Sequence, residues 1–435
     1  MPDTNKHIVV VGAGFAGLNV AKKLGGRPGI EVTVIDRSNH HLFQPLLYQV
    51  ATAGLSPADI AAPVRGLLSG HRNIRVVQGA VNKFDLQQRR VSGDFGDRDY
   101  DALVVATGAQ HSYFGNDQWE EHAPGLKTLA QATEIRRRIL SAFECAEMQD
   151  DPDKRRASLT FAVIGGGPTG VELAGTIGEM SRQTLAKDFR RIDPKLTRVI
   201  LIEGGPRILA AFSEKSATRA TRDLESLGVQ VWTNSRVTGV DKNGVNVGAE
   251  RLQARTVLWA AGVQASPLGQ LLTAAPGPGG RVVVNDDLSL PEHPEVFVAG
   301  DLAFTKGKDG HPLPGIAPVA MQQGRYIASI IIGDLSGKVR KPFVYRDKGK
   351  MATIGRRRAV VESAGIRMTG MLAWLVWLLV HIFYLSGFKN RILVLVQWAW
   401  SYFTFTRGAR LIVPRDWRSH GLETENKGSA IDDKC

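Results

Sequence analysis

An α/β fold with two parallel-sheet domains and a helical C-terminal region is predicted by three features of the 435-residue sequence. Two segments share one pattern, in which a β-branched run is followed by a glycine-rich turn and then by a helix-forming stretch. This repeated pattern is typical of βαβ units. The third feature is a C-terminal segment that is both apolar and basic. A chain of this length is expected to form two or three domains.

Each repeated segment contains a turn of the Gly-x-Gly-x-x-Gly type. The first turn, residues 12–17, follows the apolar residues 8–11 and precedes a helix expected over 18–24; it includes Gly12, Gly14, Phe15, Ala16 and Gly17. The second follows residues 161–164, precedes a helix expected from 171, and includes Gly165, Gly167, Pro168, Thr169 and Gly170. In such turns the glycines allow a tight bend and close backbone approach, and amides at the helix N-terminus hold phosphates.

Each unit is followed by a second apolar strand that ends in an acid, Asp36 or Glu203. An acid at this position accepts hydrogen bonds from the adenosine ribose hydroxyls. The pattern therefore predicts two Rossmann-like dinucleotide-binding domains. Glu203 lies farther from its glycine turn than usual, and the polar stretch 181–198 accounts for the extra length. An acid at this position favours an unphosphorylated ribose, and hence NADH over NADPH. Arg207 could soften that preference.

Three further strand ends have the small residues expected where a strand passes close to a bound nucleotide. They are Ala106, Thr107 and Gly108 in the segment 103–108, Ala261 and Gly262 in the segment 257–262, and Gly300 with Asp301 in the segment 296–301. Each strand end is weak evidence by itself, because any buried strand that meets a turn has this composition. The alternative for Asp301 is a helix cap.

Two polar segments that contain proline or glycine, 150–156 and 275–280, mark the expected crossings between domains. We therefore predict a first domain over 1–155 that continues over 281–345, a second domain inserted over 156–280, and a C-terminal region over 346–435.

The C-terminal region is predicted to anchor the chain to a membrane. Residues 346–418 carry 13 Lys and Arg against three acids, which is +10 of the net +13, and they hold five of the eight tryptophans. This mixture favours an anionic lipid bilayer surface over nucleic acid. The apolar runs 371–388 and 392–405 predict a helical hairpin in the interface or one spanning helix plus an interfacial one. A buried core helix is the alternative.

The cysteine content and the N-terminus indicate the compartment. Cys145 and Cys435 have no paired spacing, which predicts neither a disulfide framework nor a cysteine-based metal site. The polar residues 1–7 leave no room for a signal peptide, so the expected location is the cytoplasmic face of the cell membrane. No metal and no nucleic-acid partner are predicted.

The order of these motifs resembles the two-dinucleotide-binding-domain flavoprotein disulfide-reductase superfamily, and within it the type II NADH dehydrogenases. The resemblance implies that the first glycine motif, Asp36 with Arg37, the strand end at 106–108, and Gly300 with Asp301 bind FAD. It implies that the second motif, Glu203 and the strand end at 261–262 bind NADH. The segment 43–52, with Pro45 and Leu46, is similar to the family segment beside the isoalloxazine ring. It lacks redox cysteines, which excludes dithiol chemistry and argues against a sulfide:quinone reductase.

The resemblance also suggests catalytic residues. Glu172 matches the family glutamate that helps with proton delivery and contacts NADH, although a first-turn helix acid favoured by the helix dipole has the same position. Residues 317–324 are similar to the family quinone motif Ala-Gln-x-Ala-x-Gln-x-Gly. The resemblance implies that Ala317, Pro318 and Val319 bind FAD and that Gln322 and Gln323 are catalytic. Pro318 replaces the first glutamine, and that departure puts its quinone contact in doubt.

The expected function is a non-proton-pumping NADH:quinone oxidoreductase of the respiratory chain that passes a hydride to FAD and then two electrons to a membrane quinone. His381 is expected to be a packed or interfacial histidine rather than a proton relay. The alternatives are a ferredoxin- or rubredoxin-type reductase and an apoptosis-inducing-factor-like membrane-tethered flavoprotein. Whether the chain forms a homodimer is left open.

Overall fold

The structure is a computed structural model that describes residues 5–273, 275–404 and 407–413. Its strands, in chain order, are Lys6–Val11 (β1), Ile30–Asp36 (β2), His40–Leu42 (β3), Ala61–Pro63 (β4), Ile74–Gln78 (β5), Val81–Asp85 (β6), Arg90–Gly93 (β7), Gly96–Asp99 (β8), Ala102–Val105 (β9), Ala109–His111 (β10), Thr160–Ile164 (β11), Arg198–Ile202 (β12), Val229–Trp232 (β13), Val237–Asp241 (β14), Gly244–Val247 (β15), Glu250–Gln253 (β16), Thr256–Trp259 (β17), Val263–Ala265 (β18), Val282–Val283 (β19), Val296–Val298 (β20), Ala303–Phe304 (β21), Lys350–Gly355 (β22), Arg358–Ser363 (β23) and Ile366–Thr369 (β24).

The α-helices are Phe15–Leu24 (α1), Leu47–Ala51 (α2), Pro57–Ile60 (α3), Val64–Leu68 (α4), Leu129–Met148 (α5), Pro152–Ser158 (α6), Pro168–Glu179 (α7), Glu214–Ser226 (α8), Ala317–Asp334 (α9), Gly370–Tyr384 (α10) and Phe388–Thr404 (α11). Several of them begin where the sequence supplies a cap. Thr128 and Gln131 form a capping box at the start of α5, because each side chain accepts a hydrogen bond from the other residue's otherwise unsatisfied N–H. A π-helical turn, Met180–Thr184, follows α7 directly.

The chain forms two compact units. One contains the described residues up to 42 together with 61–111 and 263–348, and the other contains 43–60, 112–262 and the described residues from 349 onward. The domain bounds predicted from the sequence divide the chain differently, and they stay a prediction.

The first unit is built on a five-stranded parallel sheet in the order β20-β9-β1-β2-β5. The strands β1, β2 and β9 are buried β-branched and leucine runs, which is the composition of a parallel sheet covered on both faces. Helices α1 and α9 pack closely on each other, and a Cβ on Gly324 of α9 would lie 2.2 Å from the carbonyl oxygen of Ala16 in α1. Gly324 therefore permits this helix contact.

The second unit has a four-stranded parallel sheet in the order β13-β12-β11-β17 and two three-stranded antiparallel sheets, β14-β15-β16 and β22-β23-β24. Strand β22 packs against α7, and strand β23 packs against α10. The two parallel sheets and their helices confirm the predicted α/β fold.

The C-terminal region differs from the prediction at several points. Residues 350–369 form the β22-β23-β24 sheet and not helix, because two-residue turns at 356–357 and 364–365, with positive φ at Arg357, Ala364 and Gly365, join three antiparallel strands. The helix break lies at 385–387, since Leu385 ends α10 in an extended conformation and Gly387 has a φ of +92°. Residues 389–391, predicted to separate the helices, lie inside α11. Within the described ranges, no helix is both long and apolar enough to cross a membrane, so the spanning alternative is not found there.

Candidate functional site

The first glycine-rich turn joins β1 to α1 at the carboxyl edge of the parallel sheet. Gly12 has a φ of +100°, and a Cβ on Gly17 would lie 1.8 Å from the carbonyl oxygen of Gly12. Both positions therefore require glycine. The first turn of α1 has no side-chain cap, which leaves its backbone N–H groups available to an anion. The Asp36 carboxylate at the end of β2 accepts hydrogen bonds from the N–H groups of Ala13 (2.6 Å) and Ser38 (2.7 Å).

The second glycine-rich turn, between β11 and α7, repeats this geometry. Gly165 has a φ of +108°, and a Cβ on Gly170 would lie 1.8 Å from the Gly165 carbonyl oxygen. The Glu203 carboxylate accepts hydrogen bonds from the N–H groups of Gly166 (2.6 Å) and Gly205 (2.7 Å). The same arrangement in both units supports the sequence interpretation of two equivalent nucleotide sites.

Arg207 lies near Glu203 in the sequence, but its guanidinium is occupied locally. It donates hydrogen bonds to the carbonyl oxygens of Phe212 (2.8 Å) and Ala210 (3.0 Å). The guanidinium N–H groups that make these two hydrogen bonds are then not available to bind a ribose phosphate.

Two strand ends with small residues reach the glycine turns. The carbonyl oxygen of Ala106, after β9, lies 2.4 Å from where a Gly12 Cβ would stand. The Thr107 hydroxyl beside it is buried and has no hydrogen-bond partner among the described residues. In the second unit, the backbone of Ala260 and Ala261 lies 2.7 Å from the corresponding Gly165 position. A nucleotide bound along the first glycine turn would pass the unsatisfied Thr107 hydroxyl and would give it a hydrogen-bond partner. The residues of the first unit therefore fit a bound FAD.

Asp301 lies in a 3₁₀ turn, Gly300–Leu302, in the first unit. Its carboxyl group packs against Gly315, where a Cβ would stand 3.1 Å from the carboxyl atoms. Gly300 has a φ of +73°. Its N–H donates to the side chain of Gln323 over 2.7 Å. The backbone directly before the predicted strand-end acid is therefore held by α9, through Gln323.

The predicted quinone motif begins α9. Pro318 stands in its first turn, where a missing N–H costs no intrahelical hydrogen bond, and this position explains how proline replaces the family glutamine. Gln323 is fully buried and also donates to the Thr305 hydroxyl (3.2 Å). Gln322 donates to the carbonyl oxygen and accepts from the N–H of Arg346. Both glutamines thus hold backbone within the first unit, and their catalytic role stays a prediction.

A polar face of α7 in the second unit contains Glu172, Thr176 and Glu179, which the spacing of a helix places on one side. Burial raises the pKa of Glu172 to about 8, and a hydrogen bond from the Thr353 backbone opposes the shift. Glu172 is therefore mostly protonated at neutral pH.

A cavity of about 110 Å³ in the second unit adjoins this face. Its walls include Tyr48, Thr176, Glu179, Trp377, Trp398 and Arg407. The buried Tyr48 hydroxyl accepts a hydrogen bond from the Gln49 amide (2.9 Å), and the Trp398 indole N–H donates to the same Gln49 side chain (2.7 Å). Burial and the nearby Glu172 carboxyl raise the pKa of Tyr48 well above its ordinary value, so its phenol stays protonated.

The cavity wall contains an aromatic stack and a partly buried ion cluster. His381 stacks on Trp377 with ring centroids 4.0 Å apart and bonds to the Trp377 carbonyl oxygen (2.7 Å). Burial lowers the pKa of His381 to about 4. The expectation of a packed histidine is confirmed. Arg407 donates to the Thr52 carbonyl oxygen (2.8 Å) and lies 3.5 Å from Glu179.

Comparison with known proteins identifies the family. Residues 6–324 match the pyridine nucleotide-disulphide oxidoreductases, and residues 348–407 match the NDH2 C-terminal domain. The type II NADH:quinone oxidoreductase Ndh of Mycobacterium tuberculosis is 44% identical, over 94% of this chain and 90% of that relative. The chain belongs to the type II NADH:quinone oxidoreductases. The predicted family, enzyme class and cofactors, FAD and NADH, are confirmed.

Other similar proteins agree with this assignment. The type II NADH:quinone oxidoreductase of Staphylococcus aureus strain NCTC 8325 is 30% identical over 86% of this chain and 93% of that relative. A solved structure of Plasmodium falciparum NDH2 in complex with NADH has a TM-score of 0.85 at 19% identity, over 94% of this chain and all of that one. At that identity the likeness shows the fold.

Sequence reasoning missed most of the cavity wall. It singled out Glu172 and quoted the segment that holds Tyr48, but it did not select Tyr48, Glu179 or Arg407. Glu172, Thr176 and Glu179 are polar residues at helical spacing on an otherwise apolar helix, and this pattern predicts one polar side of α7 next to the cavity. The other walls come from residues far apart in the chain.

Proposed function

We propose that this chain oxidises NADH at the second unit and delivers the electrons through FAD to a quinone at the membrane surface. Bound FAD supplies the chemistry, since it accepts a hydride and passes on two electrons. The observation that carries the proposal is a cavity lined by the Tyr48 phenol and by aromatic side chains, with the protonated Glu172 close to Tyr48.

The cofactor sites follow from the two turns. The uncapped N-terminus of α1 would hold the FAD pyrophosphate, Asp36 the adenosine ribose, and Asp301 the polyol chain. The N-terminus of α7 and Glu203 would hold NADH in the same manner. The parts of Pro45, Leu46 and Arg37 in FAD binding are proposed on the family resemblance alone.

The quinone headgroup is proposed to bind in the 110 Å³ cavity. A quinone has two carbonyl oxygens that require donors and a flat ring that stacks on aromatic surfaces. Tyr48 and Arg407 offer donors, and Trp377 and Trp398 offer ring faces. The Trp377 indole N–H is buried and has no partner among the described residues, which supports a polar ligand at this wall.

Glu172 is proposed to deliver a proton as the quinone is reduced. A general acid works best when its pKa lies close to the operating pH, and burial brings this carboxyl to about 8. Its neutral form is the one that can donate.

Membrane association is proposed to use the exposed apolar faces of α10 and α11. Met371, Leu375, Leu379 and Phe383 repeat every four residues on α10, and all are exposed. Such a face gains free energy when it enters the lipid interface, and basic neighbours favour anionic lipid. We propose that the chain lies on the cytoplasmic surface in this way. It would not pump protons, since the sequence of α10 and α11 contains no Asp or Glu from which to build a relay.

Anaerobic mixing of the FAD-loaded protein with NADH, followed by addition of a short-chain quinone, tests the redox proposal. Fast bleaching of the flavin absorbance by NADH, and its prompt return on addition of quinone, are expected. Bleaching without return would contradict the quinone step and would favour a protein acceptor or a signalling flavoprotein.

Paired serine substitutions test membrane docking without removing the β22–β24 sheet. Leu379 and Phe383 are 71% and 69% exposed, so L379S/F383S should preserve the fold while it abolishes pelleting with vesicles. Leu196, which is 72% exposed and lies outside the C-terminal helices, supplies the control L196S. Undiminished pelleting of the double variant would show that these helices do not dock.

A further inference from the structure

A second cavity, of about 550 Å³, lies in the second unit and is lined by arginines. Arg219, Arg356, Arg357 and Arg358 contribute to its wall, together with Tyr402 and Phe403 of α11. No part of the redox cycle proposed above requires this concentration of positive charge.

The charge of the cavity is only partly neutralised. Arg219 pairs with Asp223 (3.0 Å). Glu179 lies 3.9 Å from Arg356 and also pairs with Arg407. Within the part of the chain that the structure describes, no carboxylate lies within 4.0 Å of the guanidinium of Arg357 or Arg358. Like charges held together in this way favour a bound anion.

The arginines are held in place by the tight hairpin between β22 and β23. Arg357 occupies this turn with a φ of +61°, a left-handed conformation that normally favours glycine or asparagine. Its guanidinium donates to the Tyr402 hydroxyl over 2.6 Å. Arg356 donates to the carbonyl oxygens of Tyr402 (2.7 Å) and Ser401 (2.8 Å). A strained residue that the surrounding contacts hold in place indicates a functional constraint on the hairpin.

The cavity adjoins an apolar surface. Val396, Trp400 and Phe403 follow one another along one side of α11, and all three side chains are exposed. Phe403 also lines the cavity. A ligand that fits both surfaces therefore has an anionic group and an apolar tail.

We propose that this cavity binds the phosphate headgroup of an anionic phospholipid, with the acyl chains along the Val396, Trp400 and Phe403 side of α11. Guanidinium groups bind phosphate oxygens through paired, charge-assisted hydrogen bonds. This inference rests on the proposed membrane docking and adds a defined headgroup site to it.

The test titrates the FAD-loaded full chain, by calorimetry, with three probes: short-chain phosphatidylglycerol below its micelle concentration, the matching phosphatidylcholine, and inorganic phosphate. Saturable binding of phosphatidylglycerol is expected, tighter than binding of either other probe. The double variant R357Q/R358Q should weaken it by roughly tenfold or more. The control R236Q/K242Q removes the same charge from exposed positions outside the cavity lining, and it should bind as the natural chain does.

Circular dichroism and the FAD content establish that the variants are folded. Equal affinity for inorganic phosphate and phosphatidylglycerol would overturn the lipid assignment in favour of a free-anion site. Equal affinity for the two lipids, or undiminished binding by R357Q/R358Q, would overturn the site itself. If R357Q/R358Q keeps its lipid affinity while L379S/F383S fails to pellet with vesicles, the membrane proposal stands and the headgroup site fails.

Discussion

Replacing Glu172 with glutamine is expected to slow reoxidation of the reduced flavin by quinone and to leave its reduction by NADH within about twofold. Glutamine preserves the shape of the side chain and its capacity to accept a hydrogen bond from Thr353, but it cannot donate a catalytic proton. General acids contribute roughly 100-fold or more to such steps, and we expect a loss of at least tenfold.

The pH dependence of flavin reoxidation by quinone gives a more precise expected change in rate than the substitution does. With a pKa of about 8, the carboxyl is about 90% protonated at pH 7 and about 10% protonated at pH 9. If the neutral acid is the active form, the quinone step of the natural protein falls about ninefold between these pH values, with a midpoint near pH 8. The E172Q variant should show no such midpoint.

Stopped-flow reoxidation of NADH-reduced protein by a short-chain quinone, from pH 6 to pH 9.5, measures this directly. The surface variant E225Q is the matched control, since Glu225 is exposed on α8, and it should keep both the rate and the midpoint. An E172Q variant that reoxidises at the natural rate, or that retains a midpoint near pH 8, would refute the assignment.

The same shift affects folding stability. The pKa of Glu172 is higher in the folded chain than the ordinary value of 4.5, so the folded state binds this proton more tightly than the unfolded state. The free energy of unfolding should therefore fall as the pH rises from about 4.5 to about 8, and the fall should be smaller in E172Q. Denaturant titrations at pH 5.5 and pH 8.5 test this sign.

Three other outcomes are expected. E203Q should lower the preference for NADH over NADPH roughly tenfold in kcat/KM, since a carboxylate repels a ribose phosphate, and an unchanged ratio would remove Glu203 from the NADH site. G170A should lower the melting temperature, because its Cβ would meet the Gly165 carbonyl oxygen at 1.8 Å. G167A, which has nothing within 4 Å, should fold normally and bind NADH about tenfold more weakly. Equal melting temperatures for these two variants would contradict the packing argument. R407Q should lower the free energy of unfolding by about 2 kcal/mol in denaturant titrations, because Glu179, whose side chain is only 13% exposed, loses one of its two arginine neighbours; a loss below 1 kcal/mol would show that the cluster is solvated.

The nucleotide-binding turns could be predicted from the sequence because everything that defines them is local. A β-branched strand, a glycine turn and a helix follow one another within about 20 residues, and the glycine spacing reflects backbone contacts inside that unit, such as Gly17 against Gly12. The acids Asp36 and Glu203 end the next strand, and parallel pairing brings them beside the turn.

The C-terminal region was predicted less well because composition outweighed local turn signals. The apolar and basic content of this region indicated helices on a membrane, and it hid the turns at 356–357 and 364–365 that join β22, β23 and β24. The apolar runs themselves did become α10 and α11, but Leu385 and Gly387 set the break between them, and Lys389 and Arg391 did not.

The sequence by itself determined two βαβ units, their glycine turns, their acids and hence the family to which the chain belongs. Tertiary structure alone decided the two cavities. Tyr48, Glu179, Trp377 and Arg407 come from four separate segments, and only packing of α7 against α2 and the C-terminal strands brings them together. The same packing raises the pKa of Glu172, since the cost of burying a charge depends on what surrounds it and not on its neighbours in sequence.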